Sequence, residues 1–333
     1  MQTKALWTSL LAAAVTFSGV APAPADLIFT AANNAVGVYF KGQVYCFWPK
    51  NDLSIHNEIY LNGSLYSGLP SPGGSSHAQI APLVIENVLW VFHTGEDCNI
   101  YFKRYNESSK TWDSSWHQIP NVSTRNDYEI APVYNPLTHR LVVYYFYSNY
   151  LYWVFSDNYG AAWSAGRRVG NLQFVSSAPS AVFCPGPHSD TLLALVGPNN
   201  LIPPDPIPVC VKLLTIENGA VTSDIGTSWR AAGRPFAVDV NTDSYAVLWR
   251  SQDTGSTWIC KMDKATGVWQ EPSVAISDSS TYSPTGVVKD VLKKANGPWY
   301  GEFYLMWGDG AITRPVVGSW AVDLYDSWPL AVP

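Results

Sequence analysis

Charge is scarce in this chain. Asp, Glu, Lys and Arg make up 14% of its 333 residues, and the formal net charge is −6. No run of basic residues stands anywhere along it. This lack excludes the electrostatic footprint of a binder of nucleic acid or of anionic membranes. It also excludes long helices laced with charge pairs. Cysteine is scarce too, with Cys46, Cys98, Cys184, Cys210 and Cys260. No two of them form a Cys-x-x-Cys pair, so zinc and thiol-redox motifs are lacking. No Gly-x-Ser-x-Gly elbow, Cys–His nucleophile signature or cluster of metal ligands occurs. No cofactor and no metal are expected. Past the N-terminal stretch, no apolar run has the length of a membrane span, so membrane insertion is not expected.

The first 25 residues read as a secretory signal peptide. Lys4 supplies a positive start, Leu6 to Ala21 is apolar but interrupted, and Ala23-Pro24-Ala25 is a small-residue cleavage signal. The expected product is extracellular, with residues 26–333 forming one domain. Secretion permits disulfides. Cys184 and Cys210 flank a Pro-rich excursion and are placed to staple it, and the odd count leaves at least one thiol over. Asn62-Gly63-Ser64, Asn106-Glu107-Ser108 and Asn121-Val122-Ser123 are acceptor triplets of a glycoprotein.

What the chain has in abundance is aromatic and turn-forming residues: 15 Trp, 19 Tyr, 12 Phe, 24 Gly and 24 Pro. Aromatics suit pleated, half-buried surfaces, and frequent Gly and Pro mean frequent turns. The pattern repeats. Ile80-Ala81-Pro82 returns as Ile130-Ala131-Pro132, and Pro179, Pro235 and Pro284 continue the series at spacings of 47, 56 and 49 residues. One period before Pro82, Ala35 to Tyr39 reads as another first strand. An aromatic-rich second strand follows in each unit: Val44 to Trp48, Leu89 to His93, Val142 to Phe146, Leu192 to Val196, Tyr245 to Trp249 and Phe303 to Trp307. Third strands include Asn99 to Tyr105, Tyr150 to Phe155 and Thr257 to Met262, and Trp112, Trp163 and Trp269 mark fourth strands. Four short strands per repeat of this length is the β-propeller blade pattern. The expected fold is all-β, a six-bladed β-propeller of four-stranded antiparallel blades, with Leu27 to Thr30 lending a strand to the last blade.

Ser156-Asp157-Asn158-Tyr159-Gly160-Ala161-Ala162-Trp163 follows the Asp-box pattern S-x-D-x-G-x-x-W, with Asn at the Asp position. Ser251 to Trp258 matches it fully, yet the repeat register places that stretch between strands two and three. On these residues the chain resembles the Asp-box (BNR) propellers, which include sialidases and sialidase-like lectins. In plan it is also similar to the six-bladed fucose-specific lectins of fungi. The first resemblance implies a glycoside-acting enzyme as one reading, with Asp127, Glu129, Arg234, Arg250 and Tyr282 as its candidate catalytic residues. Sialidases clamp a carboxylate with three arginines, the first in an Arg-Ile-Pro motif of the first blade. This chain has no Arg before Arg104, so sialidase activity is not expected.

The other reading is a lectin. A sugar ring needs a flat aromatic beneath its apolar face and a few planar polar groups for its hydroxyls. Trp48, Trp249 and Trp307 end their second strands, and polar loop residues follow each of them. The expected binding residues are Trp48, His93, Trp249, Arg250, Asp253, Trp307 and Asp309. Their repetition suggests several similar shallow sites and gain through avidity. Fungal fucose-specific lectins repeat an Arg, Glu and Trp set in each blade, and this chain does not. The expected partners are glycans or glycoconjugates, and an oligomer is compatible with the sequence.

Overall fold

The computed structural model describes residues 35–323 apart from 51, 62–63, 68, 125–128, 149, 174–178, 187–188, 199–208, 242–243, 265, 267, 278–284, 294–298 and 309–314; from 269 onward it describes the backbone alone. Residues 1–25, Leu27 to Thr30, Asp127, Tyr282 and Asp309 therefore lie outside the described residues, as does the side chain of Trp307.

All named elements are strands, grouped in chain order into antiparallel sheets. The first sheet holds β1 (Val36–Phe40), β2 (Gln43–Pro49), β3 (Ile55–Leu61) and β4 (Ser64–Ser67). The second holds β5 (Ala81–Ile85), β6 (Val88–Thr94), β7 (Asn99–Asn106), β8 (Thr111–Trp112) and β9 (His117–Ser123), the last two both pairing with β7. The third holds β10 (Ala131–Asn135), β11 (Arg140–Tyr147), β12 (Tyr150–Ser156) and β13 (Arg167–Gln173). The fourth holds β14 (Ser180–Gly186), β15 (Ser189–Pro198), β16 (Val209–Glu217) and β17 (Ala220–Arg230). The fifth holds β18 (Phe236–Asn241), β19 (Ser244–Arg250), β20 (Thr257–Asp263) and β21 (Trp269–Ser277). In the last sheet three strands are described: β22 (Thr285–Lys293), β23 (Trp299–Gly308) and β24 (Pro315–Asp323). The sequence led us to expect six four-stranded units; among the described residues five sheets have four strands or more, and the sixth has three.

The first strands of the sheets contact one another in the order β1, β5, β10, β14, β18, β22, and β22 returns to β1. They stand around a common axis, each an edge strand paired on one side only. That position explains the repeated proline. Pro82 and Pro132 are second residues of β5 and β10, and a residue without an N–H is tolerated in a strand at an edge. Second strands are enclosed between sheets, which gives them nearly continuous apolar runs. Only Val88 of β6 is exposed. Alternation then divides each strand between its neighbours. Leu89 and Val91 pack with Tyr45 and Phe47 of the first sheet, while Trp90 and Phe92 pack with Val143 and Tyr145 of the third.

The turn after β12 is built as its motif suggests. Ser156 Oγ accepts the Gly160 N–H at 2.8 Å, and Asn158 Oδ1 accepts the Ala162 N–H at 2.8 Å. Gly160 takes the positive φ of 78° that the turn needs. Trp163 packs at 5.8 Å from Phe102 of the second sheet, but it precedes β13 and is not part of it. Across the same sheet boundary, Glu86 Oε1 accepts hydrogen bonds from the hydroxyls of Tyr134 and Tyr159, both at 2.7 Å. These donors hold the Glu86 carboxyl below the usual carboxylate range.

The Cys184–Cys210 staple does not form. Cys184 lies in β14 and Cys210 in β16, with β15 between them, about 10 Å away across two strand spacings. They also sit toward opposite ends of β15, since Phe183 pairs with Thr191 while Cys210 pairs with Gly197. A disulfide requires Cα atoms within roughly 7 Å. No disulfide is formed among the described residues.

Candidate functional site

The strand registers align the sheets residue by residue. Val36 faces Phe47 in β2, Ala81 faces Phe92, Ala131 faces Tyr144, Ser180 faces Ala194, Phe236 faces Leu248 and Thr285 faces Met306. The next residue in each second strand is therefore equivalent: Trp48, His93, Tyr145, Leu195, Trp249 and Trp307. The sequence reading had placed its three Trp and His93 at this very level. Their described side chains are buried, however: Trp48 is 2% exposed, His93 4% and Trp249 3%. At this position the side chain points into the interface with the preceding sheet, because Tyr145 and Leu195 pack there as well. None of these three is an open platform. Trp48 lies edge-on to His56 at 4.6 Å. His93 stacks on Tyr101 and meets Trp116 edge-on at 4.3 Å.

The open aromatic surface is one position further out. Residues directly opposite in an antiparallel pair share a face, and Trp249 faces Trp258 of β20. The two rings lie 6.5 Å apart and 20° from parallel. On the other side Trp229, from the end of β17 in the preceding sheet, stacks on Trp249 at 4.6 Å and 8°. Trp229 and Trp258 are partly buried around the sealed Trp249. The result is a groove-like seam between the fourth and fifth sheets, the candidate cleft, bordered by two partly buried indoles.

Polar groups close one end of that cleft. Arg230 Nη1 donates to Asp253 Oδ1 at 2.6 Å, with side chains 44% and 54% exposed. The backbone fixes this pair: Ala231 bridges Ser251, and the Gln252 N–H donates to the Arg230 carbonyl at 3.0 Å. Asp253 sits in the loop between β19 and β20, so the full Ser251 to Trp258 match lies where the repeat register put it. Arg250 is separated from this group. Strand alternation turns it to the opposite face of the sheet from Trp249, and its Nε is buried without a hydrogen-bond partner.

Of the catalytic candidates, Arg234 is 9% exposed and its fork is occupied. Its Nη1 donates to Gln79 Oε1 at 2.5 Å, and its Nη2 donates to the carbonyls of Pro179 at 2.8 Å and Ile130 at 3.3 Å. Such a guanidinium is not free to clamp a substrate carboxylate. Glu129 is partly buried, and its charge acts on Arg234. No group of three or more His, Cys, Asp or Glu side chains is placed to hold a metal among the described residues. Sequence reasoning gathered Arg230 and Asp253 on one surface, as entry-loop and second-loop residues, but missed Trp229 and Trp258 as its aromatics. Trp229 comes from the sheet before, and only the ring arrangement brings it to Trp249.

No family model matches the chain, and no curated protein matches it. Solved structures do. The SapL1 lectin in complex with α-methyl fucoside aligns at a TM-score of 0.55 with 12% identity, over 88% of this chain and 97% of that one. AofleA from Arthrobotrys oligospora gives 0.56 at 9% identity, over 88% of each chain. The Aleuria aurantia lectin, described as a six-bladed β-propeller, gives 0.54 at 11% identity, over 91% and 99%. The chain is a β-propeller. Its sheets are antiparallel blades, four of them four-stranded among the described residues, and the Trp cleft lies between the fourth and fifth of them. At these identities the likeness establishes the fold alone.

Proposed function

We propose that this propeller is a secreted, carbohydrate-binding protein of the lectin type, with six blades and its principal site in the cleft between the fourth and fifth. The observation behind this reading is the pair of partly buried indoles, Trp229 and Trp258, beside the exposed Arg230–Asp253 pair. Indole faces take the apolar side of a pyranose, and a carboxylate with a guanidinium takes its hydroxyls. The fold likeness to lectins, one of them holding a fucoside, supports the same reading. The leader-like residues 1–25 support secretion. Six blades are supported by the ring of first strands and by the three-stranded last sheet, to which Leu27 to Thr30 would supply the fourth strand.

The test is a glycan array on the mature protein, followed by titration calorimetry with the best ligand. Trp258→Ala is expected to weaken binding by about tenfold or more, equivalent to roughly 1.4 kcal/mol. Asp253→Ala, at an exposed position, is expected to weaken binding without lowering the melting temperature. An array without hits, or a Trp258→Ala variant that binds like the wild type, would refute the proposal.

A further inference from the structure

The propeller axis contains a feature that glycan binding does not use. The first strands surround a cavity of about 90 Å³, with Val36, Ala81, Ala131, Ser180, Ala237 and Arg234 among its lining residues. Among the described lining residues Arg234 is the charged group. It belongs to the segment leading into β18, next to Gly233 and Pro235. Its three hydrogen bonds go to Gln79 and to the backbone of Ile130 and Pro179, and each of those acceptors is neutral. Its Nε is buried and has no partner. Glu129, partly buried, is the carboxylate whose charge acts on it, and among the described residues that carboxylate makes no hydrogen bond to the guanidinium.

A guanidinium cannot shed its charge by losing a proton, as a buried lysine can. A buried cation with no opposite charge in ion-pair contact costs several kcal/mol, and proteins compensate such groups with a charge placed against them. The surrounding first strands are sheet edges, whose axis-facing backbone groups have no ladder partners. The cavity is large enough for a few water-sized groups. Among the described residues its walls are mostly apolar and hold a single cation, which disfavours phosphate or sulfate, since these call for several charged donors.

We propose that the axial cavity is a binding site for a small monovalent anion, a halide, held by Arg234. The anion supplies a charge in direct contact with the guanidinium, at the point where the segments leading into four successive blades converge. It ties ring stability to the anion content of the medium. The site is independent of the Trp cleft, so either assignment can fail without the other.

The test uses sodium bromide on the intact protein, with bromide replacing the bulky sulfonate anion of HEPES at constant ionic strength. The melting temperature is expected to rise with bromide and then to climb logarithmically past saturation, as linkage requires. Arg234→Met should abolish that rise while leaving glycan affinity unchanged. Should the variant not fold, crystals of the native protein soaked in bromide decide the matter. An anomalous peak in the axial cavity beside the Arg234 guanidinium supports the site. A melting temperature indifferent to bromide, a bromide response kept by Arg234→Met, or soaked crystals with no axial peak would overturn it.

Discussion

His93 shows how one position in the repeat serves unlike ends. It occupies the place of Trp249 in its own blade, enclosed by Tyr101 and Trp116. Burial lowers its pKa from 6.5 to about 4. In the unfolded chain the imidazole takes up a proton near its ordinary pKa, whereas in the native protein it resists until well below that. Stability from this residue is therefore whole above pH 6.5 and is lost as the pH falls from 6.5 toward 4. The full loss is about 3 kcal/mol. Denaturant midpoints measured between pH 4 and pH 8 should show that slope in the wild type. His93→Phe should flatten it, and a variant with the same slope as the wild type would show that the acid sensitivity lies elsewhere.

At the scale of the element, the turn after β12 joins local chemistry to packing between blades. Ser156 is 1% exposed, accepts the Gly160 N–H and donates to Asn158 Oδ1 at 2.9 Å. Ser156→Ala leaves the part-buried Gly160 N–H without its acceptor, at a cost of about 1 kcal/mol. Chemical denaturation should show that loss, with glycan affinity unchanged because the turn lies at the other end of the blade from the cleft. Elements were the most legible part of the sequence. The second strand read as Leu89 to His93 spans Val88–Thr94, and the third read as Thr257 to Met262 spans Thr257–Asp263. Burial between two sheets forces apolar runs there, and such runs are visible without a structure. The outer strands were less legible. They face solvent on one side, and in the second blade the outer strand is split into β8 and β9. The cleft was half legible: the sequence marked the level of Trp249, but it does not reveal that Trp229 arrives from the preceding repeat.

For the whole molecule, the ring of first strands makes each blade the lid of the next. Leu213 of the fourth blade and Trp249 of the fifth share one core cluster, as Phe47 and Val91 do between the first and second. Closure of the last interface then bears on all the others. A chain starting at residue 35 is expected to melt several degrees below one starting at residue 26, because the last sheet loses the strand proposed for Leu27 to Thr30. Differential scanning calorimetry of the two forms checks this, and equal melting temperatures would remove that segment from the ring. The equivalent clefts are also unlike one another. Where the fifth blade sets Trp249 against Trp258, the fourth sets Leu195 against Lys212 and the third sets Tyr145 against Tyr152. Clumping of cells requires one molecule to hold two of them at once. If the proposed site is the single competent groove, the ring would coat a sugar-bearing surface and mask it from other receptors, and would bridge two surfaces only when copies pair.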